Sequence, residues 1–357
     1  MKIGMLTSGG DCQGLNAALR GVAKSLYNEF GKDVTIYGFS DGYRGLIEGN
    51  YKEMQPRDFS DILTLGGTIL GTSRESFKAM QIPLEDGTTK LDRMLKTYRD
   101  MGLDAMVILG GNGTHKTANL LSENGVNVVT LPKTIDNDLW GTEMTFGFQS
   151  AVDIATNVID SIHSTAFSHS RVFIVEVMGH KAGWLTLHAG IASGADIIII
   201  PEIPYNVQHI VDAIEKRSQS GKRFSILAVA EGAISKAEAK MSKKEFRIAR
   251  ENMKQPSISY RLADEIHAIS GQEIRVTIPG HFQRGGSPCA YDRLLSSRFG
   301  TAAARLIREK KFGNMVALQN GKIVPVPLKD VAGKLKSVPP DCEIIRSARD
   351  LGLSMGD

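Results

Sequence analysis

Cysteine and long apolar runs are scarce in this chain of 357 residues. Its three cysteines, Cys12, Cys289 and Cys342, show no CxxC spacing, which argues against a disulfide framework or a zinc site and for a reducing compartment. The longest purely aliphatic run, residues 197–200, is far too short to cross a bilayer. The chain starts directly with an apolar segment and lacks the architecture of a signal peptide. We therefore expect a cytoplasmic protein with no membrane partner.

An excess of charge of one sign is lacking as well. The formal net charge is +4, and acidic and basic residues alternate through most segments, so nothing resembles the basic stripe of a nucleic-acid-binding protein. The modest positive excess suits small anionic substrates, although a neutral solvated surface would look the same. Hydrophobic residues make up 42% of the chain and glycines number 37, which is typical of a soluble α/β enzyme with many functional turns.

What the chain does have is a regular alternation of short aliphatic runs and amphipathic segments. The runs predicted to be strands are residues 3–6, 34–37, 105–109, 126–131, 172–177, 197–200 and 226–230. Asn16 is predicted to cap the first helix and Gly31 to end it. Later helices are predicted at 114–123, 181–192 and 207–219. This alternation predicts an α/β fold with a mostly parallel sheet covered on both faces.

The length of the chain predicts two domains, although no linker rich in proline, glycine or serine divides it. A boundary is expected near Gly147, where a long helix begins. The segment 234–254 is rich in lysine, glutamate and alanine, and we interpret it as an exposed helical excursion.

Two glycine-rich loops follow predicted strands: SGGD at residues 8–11 and GGNGT at residues 110–114. Glycines in such loops let backbone N–H groups approach a phosphate, and the N-terminus of the next helix favours negative charge. Ordinary tight turns would give the same pattern. Neither loop is a Walker A motif or a GxGxxG fingerprint, so a nicotinamide cofactor has little support.

A third loop, PKTIDND at residues 132–138, follows another predicted strand. Phosphoryl transfer to a hydroxyl needs a base near that hydroxyl and positive charge around the transferring group. Asp136 is the natural base and Lys133 a natural source of positive charge, while Asp138 could orient the surroundings of Asp136 or hold a metal-bound water. Taken alone, an Asx-rich turn in which Asp136 and Asn137 bond the local backbone explains the loop equally well.

The motifs occur in an order that resembles the phosphofructokinase family. Together with MGH at 178–180, EG at 231–232 and GHFQRGG at 280–286, the resemblance extends from Met1 to about residue 320. The combination of TIDND with GHxQRGG is highly specific. Within the family, the chain is similar to the intermediate ATP/pyrophosphate group of 6-phosphofructokinases.

The resemblance implies two similar Rossmann-like three-layer domains with mostly parallel sheets and the active site in the cleft between them. The phosphoryl-donor-binding domain would comprise residues 1–147 plus about 266–312. The fructose 6-phosphate-binding domain would comprise residues 148–265 plus about 313–357.

By the same resemblance, the chain transfers the γ-phosphoryl group of ATP to the 1-hydroxyl of fructose 6-phosphate in glycolysis, with Mg²⁺ arriving with the nucleotide. Asp136 would accept the hydroxyl proton, assisted by Thr134, Lys133 and Arg171. The positions that match the donor site are Gly10, Arg74, Glu75, Gly111, Asn112, Gly113 and Thr114. The positions that match the sugar-phosphate site are Thr134, Ile135, Asp136, Arg171, Met178, Gly179, His180, Glu231, Arg275, His281, Phe282, Gln283 and Arg284.

In the family, the arginines matching Arg171 and Arg275 reach the sugar phosphate from a neighbouring subunit. The resemblance therefore implies a homodimer or homotetramer with shared active sites. For Arg171 and Arg284, a surface ion pair is the alternative explanation.

Several positions depart from the family pattern. Asn112 stands where many members carry an aspartate that approaches Mg²⁺, and a neutral amide oxygen is a weaker ligand, so Asn112 is only a candidate metal ligand. His180 replaces the usual arginine and would contact the sugar diphosphate less strongly, or only when protonated. Gly113 leaves open the space where pyrophosphate users typically place an aspartate, whereas Lys133 is shared with those users. The steric argument favours ATP over pyrophosphate.

Other functions stay open on the sequence alone. A pyrophosphate-dependent, reversible fructose 6-phosphate 1-phosphotransferase is the closest alternative. NAD and lipid kinases share a GGxGT loop but lack the TIDND and GHxQRGG pair. A non-catalytic sugar-phosphate sensor would be expected to lose the base, yet Asp136 is present. Arg20, Lys24 and Arg57 fall where the bacterial effector site of the family has basic residues, but a solvated basic cluster explains them equally well.

Overall fold

The computed structural model describes residues 1–357. Its strands, numbered in chain order, are β1 (Lys2–Thr7), β2 (Thr35–Phe39), β3 (Tyr51–Met54), β4 (Ala105–Gly110), β5 (Val128–Pro132), β6 (Val172–Val177), β7 (Ile197–Ile199), β8 (Ser225–Ala230), β9 (Ile274–Thr277), β10 (Asn314–Gln319) and β11 (Lys322–Pro327). Its α-helices are α1 (Leu15–Phe30), α2 (Tyr43–Glu48), α3 (Lys90–Asp100), α4 (Asn112–Glu123), α5 (Phe148–His169), α6 (Trp184–Ala192), α7 (Val207–Gln219), α8 (Lys243–Glu251), α9 (Ile258–Ser270), α10 (Ala290–Arg308), α11 (Leu328–Val331) and α12 (Glu343–Asp350).

The first compact unit, Met1–Ser150 with Arg284–Lys336, contains a seven-stranded sheet in the order β11-β10-β5-β4-β1-β2-β3. The strands from β10 across to β2 run parallel, and each edge carries one antiparallel strand, β11 or β3. Every residue of β4 and β5 is buried. Strands covered on both faces read as continuous apolar runs, which is why the sequence pattern located them.

The second compact unit, Ala151–Gln283 with Ser337–Asp357, contains a four-stranded sheet in the order β7-β8-β6-β9. All of its strands are parallel. Its core joins aliphatic residues of β6, β7 and β8 to those of α7 and α9, including Ile199, Ile210 and Leu262. The unit is thus a second, smaller α/β layer structure.

Helices α1 and α10 pack closely in the first unit because two glycines face each other. A Cβ added at Gly300 would lie 2.6 Å from the carbonyl oxygen of Ala18, and one added at Gly21 would lie 3.0 Å from the carbonyl oxygen of Ser297. Real Cβ atoms essentially never show the distance at Gly300 and seldom show the one at Gly21, so Gly300 needs glycine and Gly21 leaves little space for a side chain. The contact fixes α1, which begins just after the loop at the end of β1.

Most of the predicted strands and helices are confirmed within a few residues, as is the mostly parallel α/β fold. The predicted cap of α1 is wrong. The helix begins at Leu15 after Gly14, and the side chain of Asn16 instead bonds the backbone at Leu65, Gly66 and Ile69. The excursion at 234–254 contains α8, and no residue of that helix is buried.

The compact units differ from the expected domains in the second half of the chain. Residues 266–283 were expected in the first domain, but β9 pairs with β6 of the second sheet. Residues 313–336 were expected in the second domain, but β10 pairs with β5 of the first sheet. No helix of the structure is long and apolar enough to span a bilayer.

Candidate active site

Three loops of the first unit leave the same edge of the sheet. Strands β1, β4 and β5 are parallel neighbours, with Thr7 opposite Leu109 and Gly110 opposite Pro132. The loops that follow them, at residues 8–11, 110–114 and 133–138, therefore begin side by side. The carboxyl edge of a parallel sheet is where ligands bind in open α/β folds.

Backbone hydrogen bonds shape the loop after β1. The N–H of Gly9 donates to the carbonyl of Ser73 at 3.0 Å, and the Thr72 hydroxyl donates to the carbonyl of Gly9 at 2.7 Å. Gly9 has φ +86°, a conformation that other residues rarely adopt. Residues 72 and 73, which are distant in the sequence, therefore stabilise the conformation of this loop.

Cationic side chains surround Gly10. The ammonium of Lys133 donates a hydrogen bond to the Gly10 carbonyl, and Nη1 of Arg284 donates to the carbonyl of Asp11 at 2.9 Å. A Cβ at Gly10 would lie 3.0 Å from Nη1 of Arg284 and 3.4 Å from Nη2 of Arg74. Three positive charges thus converge on this loop, and such charge favours an anion. Arg284, expected at the sugar phosphate, lies beside this loop.

The loop after β4 turns directly into α4, with Gly111 at the N-cap position. A Cβ at Gly110 would lie 2.3 Å from the side chain of Thr114, so this position needs glycine. Gly113 is the opposite case, because a Cβ there would have no heavy atom within 4 Å. The first turn of α4 thus offers free N–H groups and open space, which favour a phosphate.

The amide of Asn112 is oriented by the backbone. Its Nδ2 donates to the carbonyl of Lys334 at 2.7 Å, and its buried Oδ1 has no hydrogen-bond partner. This unpartnered amide oxygen could accept a hydrogen bond, for example from a metal-bound water. As a neutral group it would be a weak ligand for the metal itself. No group of three or more histidine, cysteine, aspartate or glutamate side chains in the structure could hold a metal ion.

His115 also shapes this loop, and no motif in the sequence points to it. The ring is fully buried, and its Nδ1 bonds the carbonyl of Gly111 at 2.8 Å. Burial lowers the pKa of His115 to about 4, and the positive charge of Lys133 adds to that effect. The imidazole is therefore neutral and, as a donor at Nδ1, fixes the carbonyl of Gly111.

The loop after β5 carries the candidate base. Asp136 is partly exposed, whereas Thr134 and Ile135 are buried. The backbone N–H of Asp136 donates to Oγ1 of Thr134 at 3.1 Å, and the Thr145 hydroxyl donates to the carbonyl of Thr134 at 2.7 Å. The loop is thus fixed at Thr134, two residues before Asp136, whose carboxylate has a buried Oδ1 in a partly exposed residue.

Lys133 is almost completely buried beside these loops. Burial lowers its pKa below the usual value, because the charged form loses its water, while the carboxylates of Asp136 and Asp11 oppose the shift. A positive group in such a poorly solvated place interacts strongly with any anion that enters it.

Of the two remaining donor-site candidates, Arg74 lies near Gly10, as described above, but Glu75 is engaged elsewhere. Its carboxylate forms an ion pair with Lys90 of α3 and lies 4.0 Å from Nε of Arg44. The structure thus gives Glu75 cationic partners of its own in the first unit.

In the second unit, the loops after β6 and β8 are joined by one carboxylate. Oε1 of Glu231 accepts from the N–H of Gly179 at 3.2 Å and from the N–H of His180 at 2.7 Å. Gly179 has φ +147° and His180 φ +52°, so the loop is held in a conformation that few residues adopt. Met178 joins the same cluster, because its N–H donates to Oε1 of Gln283 at 3.2 Å.

The turn after β9 divides its side chains between the interior and the solvent. Gln283 is fully buried and also donates to the carbonyl of Gly280 at 3.1 Å. His281 is exposed, and Phe282 is 80% exposed, an unusual state for a large apolar ring. Gln283 is thus a structural link to Met178, whereas His281 and Phe282 are available to a ligand or another chain.

Arg171 and Arg275 lie on neighbouring strand positions at the edge of the second sheet. Arg171 directly precedes β6, and Arg275 lies on β9 opposite Phe173. Both guanidinium groups pair with Glu273, Arg171 through Nε at 3.2 Å. The side chains are 35% and 50% exposed, respectively. One carboxylate thus holds two partly exposed arginines together, which leaves donors for an incoming anion.

Glycine loops, a buried lysine and a carboxylate at one edge of a parallel sheet are the groups that a phosphotransferase of the α/β class needs. Comparison with known proteins agrees. A model of the phosphofructokinase family matches residues 2–307. Proteins named ATP-dependent 6-phosphofructokinase are 56% identical in Spirochaeta thermophila, over 99% of this chain and 97% of that protein, and 47% identical in Propionibacterium freudenreichii, over the whole of both. The chain belongs to the phosphofructokinase family.

Solved structures give the same fold. The phosphofructokinase of Pichia pastoris in the T-state has a TM-score of 0.79 and 34% identity over 92% of this chain. This chain spans only 35% of that longer one. A pyrophosphate-dependent phosphofructokinase from Nitrosospira multiformis has a TM-score of 0.82 at 19% identity, over 96% of this chain and 87% of its own. At that identity the likeness shows the fold alone.

Proposed function

We propose that this chain is an ATP-dependent 6-phosphofructokinase that forms fructose 1,6-bisphosphate from fructose 6-phosphate. One observation carries the proposal. Within a single unit, the glycine loops after β1 and β4 begin beside the loop that holds Lys133 and Asp136. Phosphate-binding groups and a candidate base therefore leave the same sheet edge. The relatives named ATP-dependent 6-phosphofructokinase match over the whole length and support the same activity.

The donor would bind at the first unit. The backbone N–H groups of Gly10 and Asp11 and of the first turn of α4 would hold the phosphates, with positive charge from Lys133 and Arg74. Gly113 supports ATP as the donor, because the space beside it is open for a larger nucleotide. Catalysis of this kind depends on positioning and on charge stabilisation more than on covalent chemistry.

Asp136 would accept the proton of the 1-hydroxyl as the sugar oxygen attacks the γ-phosphorus atom. The new O–P bond forms as the bond to the β,γ-bridging oxygen breaks, and ADP leaves with that oxygen. Lys133 would neutralise charge on the transferring group, and Thr134 would hold the loop through its hydrogen bonds. Mg²⁺ would come bound to the nucleotide and neutralise phosphate charge, with Asn112 Oδ1 as a candidate contact to its water.

Residues of the second unit would bind the sugar phosphate. Glu231 uses Oε1 to hold the loop at 178–180, which leaves Oε2 to accept from a sugar hydroxyl. His281 and Phe282 would contact the sugar phosphate, and Gln283 would support their turn. Met178, Gly179 and His180 would line the sugar, with His180 as a weaker phosphate contact than an arginine.

We also propose a homodimer or homotetramer in the cytoplasm, working in glycolysis. Its support is the pair formed by Arg171 and Arg275 on Glu273, which presents partly exposed cations at a sheet edge. In the family such arginines serve the sugar phosphate of a neighbouring subunit.

Pyrophosphate-dependent transfer is the second candidate, and Lys133 is the observation that favours it. The buried ammonium lies in the position where pyrophosphate users of the family carry lysine. ATP and pyrophosphate would bind to the same loops, so the space beside Gly113 would be the main feature that discriminates between them.

The test of the proposal is the Asp136→Asn variant beside the wild type. We expect the wild type to form fructose 1,6-bisphosphate from MgATP and fructose 6-phosphate. In the variant, kcat should fall by about 10²- to 10⁴-fold, while fructose 6-phosphate binding measured by calorimetry persists. Unchanged activity in the variant would exclude Asp136 as the base, and an inactive wild type would contradict the proposed function itself.

A further inference from the structure

The segment Gly333–Lys336, here called the returning segment, runs back along the loops of the first unit. Its backbone contacts the loop after β5, because the N–H of Lys336 donates to the carbonyl of Asp138 at 2.8 Å and Leu335 forms a bridge with Leu139. It also contacts the loop after β4, through the bond from Asn112 to the carbonyl of Lys334. The returning segment therefore touches two of the three loops.

The side chain of Lys336 makes the closest set of contacts. Its Nζ lies 2.9 Å from Oδ1 of Asn137, 2.9 Å from the carbonyl of Thr142 and 2.9 Å from the carbonyl of Glu143. An ammonium has three N–H donors, and here each has an acceptor. An internal cation thus gathers three oxygen atoms of the segment 137–143.

The backbone conformation of Asn137 is one that such contacts would stabilise. It lies between Asp136 and Asp138 and has φ +51°, the left-handed region. Its Oδ1 also accepts from the N–H of Thr145 at 3.1 Å. Asparagine enters this region more readily than most residues, but still at a cost that the surroundings must offset.

We propose that Lys336 is a positioning residue that holds the 136–138 turn and so aims the carboxylate of Asp136 at its substrate. This proposal rests on the proposed function and adds a residue to it. Lys336 does not touch the reacting atoms. It acts through Asn137, which directly follows the base in the chain.

The surroundings of Lys336 fit this role. Burial lowers the pKa of its ammonium to about 7, and the carboxylates of Asp138 and Glu143, the charged groups that face it, oppose that shift. A lysine kept largely out of water is tied to its acceptors, because it has no equivalent partners to move to. A surface lysine in the same part of the chain would have no such constraint.

The experiment compares Lys336→Met with the control Lys329→Met. Methionine keeps much of the apolar stem and removes the three donors, while Lys329 is an exposed lysine on α11. We expect Lys336→Met to lower kcat by about 10- to 100-fold, because a small misplacement of a catalytic group has that effect. The KM for fructose 6-phosphate and for ATP should change little, and the control should match the wild type.

A second variant uses the acceptor side. Asn137→Gly keeps a residue suited to φ +51° and removes Oδ1. We expect kcat to fall in this variant too, and the fold losses of the two single variants to combine less than multiplicatively in the double variant, because both changes remove the bond from Nζ to Oδ1 while each also removes bonds of its own. Should Lys336→Met fail to fold, Asn137→Gly decides alone. An unchanged kcat in Asn137→Gly would overturn the proposal.

Chemical rescue separates positioning from a general loss of stability. In Lys336→Ala, we expect added ethylamine to restore part of kcat in a saturable way, whereas added sodium chloride should not. Lack of rescue in a folded variant would contradict the role of the ammonium. These outcomes differ from failure of the proposed function, in which the wild type itself would form no fructose 1,6-bisphosphate.

Discussion

The ammonium of Lys133 donates a hydrogen bond to the backbone carbonyl of Gly10, so a side chain at the end of β5 is fixed to the loop after β1. The two strands are not neighbours, because β4 lies between them in the sheet. The lysine therefore reaches across the edge where the three loops begin. Its charge is placed where the donor phosphates are expected.

Replacing Lys133 by methionine should separate its chemical role from its structural one. The substitution removes only the donor of the bond to the Gly10 carbonyl and leaves that acceptor short of a partner, so the free energy of unfolding should fall by about 1–3 kcal/mol. Loss of the cation should lower kcat by about 10²- to 10³-fold, the usual effect of removing one preorganised donor. Steady-state kinetics with MgATP and fructose 6-phosphate measures it. A normal kcat would mean that Lys133 only supports the Gly10 carbonyl.

The open space at Gly113 predicts the effect of Gly113→Asp. Nothing lies within 4 Å of the added Cβ, and aspartate in the first turn of α4 interacts favourably with the helix N-terminus. The variant should therefore fold as well as the wild type. Its carboxylate should repel the nucleotide phosphates and raise the KM for ATP by about tenfold or more, since one to two kcal/mol of repulsion suffices. An unchanged KM for ATP would contradict the steric account of donor choice.

Gly110→Ala tests the opposite case, a glycine with no space for a Cβ. Its Cβ would lie 2.3 Å from Thr114 in a backbone that hydrogen bonds fix on both sides. We expect a loss of about 1–3 kcal/mol in the free energy of unfolding, typical of overpacking, measured by urea denaturation. A stable Gly110→Ala would show that the loop relaxes more easily than the structure implies.

The hydrogen bonds and ion pairs of Glu238 let us predict how the stability of the second unit changes at low pH. Its carboxylate accepts from both terminal nitrogens of Arg261, at 2.8 and 2.7 Å, and from the N–H of Ser235 at 2.9 Å. Burial alone raises the pKa of Glu238, but these bonds and the charge of Arg250 outweigh it and lower the pKa to about 2, from 4.5. The folded state therefore prefers the ionised form more strongly than the unfolded state does.

The sign of the effect follows from linkage. The stabilisation by Glu238 is complete above the unfolded pKa of 4.5 and is lost as the pH falls from there through about 2. Glu238→Gln should be about 1.5–3 kcal/mol less stable at pH 7, because the partly buried Arg250 and Arg261 lose their charged partner. The difference from the wild type should shrink toward pH 3 in urea unfolding series. A difference that is independent of pH would contradict the lowered pKa.

The sequence predicted seven strands and missed β3, β9, β10 and β11, of which β10 is buried inside the first sheet. Strand β4 is a continuous apolar run and β6 is interrupted only by Glu176, so composition alone located them. Strand β3 was not predicted because it is mostly exposed and mixes polar with apolar residues, and β11 because it contains two prolines. The pairing of β10 with β5, and of β9 with β6, depends on contacts between distant segments. Local patterns carry no record of such contacts, so the domain division could not be predicted.

The site residues also divide into those that the sequence predicted and those that it did not. The glycine loops and Asp136 have motifs and were found from them, whereas His115 and Lys336 have none. Lys336 lies in a lysine-rich stretch where nothing distinguishes it from exposed neighbours. Its importance arises only when the chain folds back and brings Nζ to Asn137, some 199 positions earlier in the chain. The predicted helix cap at Asn16 was wrong for a related reason, because carbonyls distant in the sequence accept hydrogen bonds from its amide.

The most direct measurement is the formation of fructose 1,6-bisphosphate from fructose 6-phosphate and Mg²⁺, run in parallel with ATP and with pyrophosphate. The account predicts turnover with ATP and little or none with pyrophosphate, because the space beside Gly113 admits the nucleotide. Turnover with pyrophosphate alone would contradict it and would mean that Lys133 decides the donor. No turnover with either donor would contradict the proposed activity and favour a sugar-phosphate sensor.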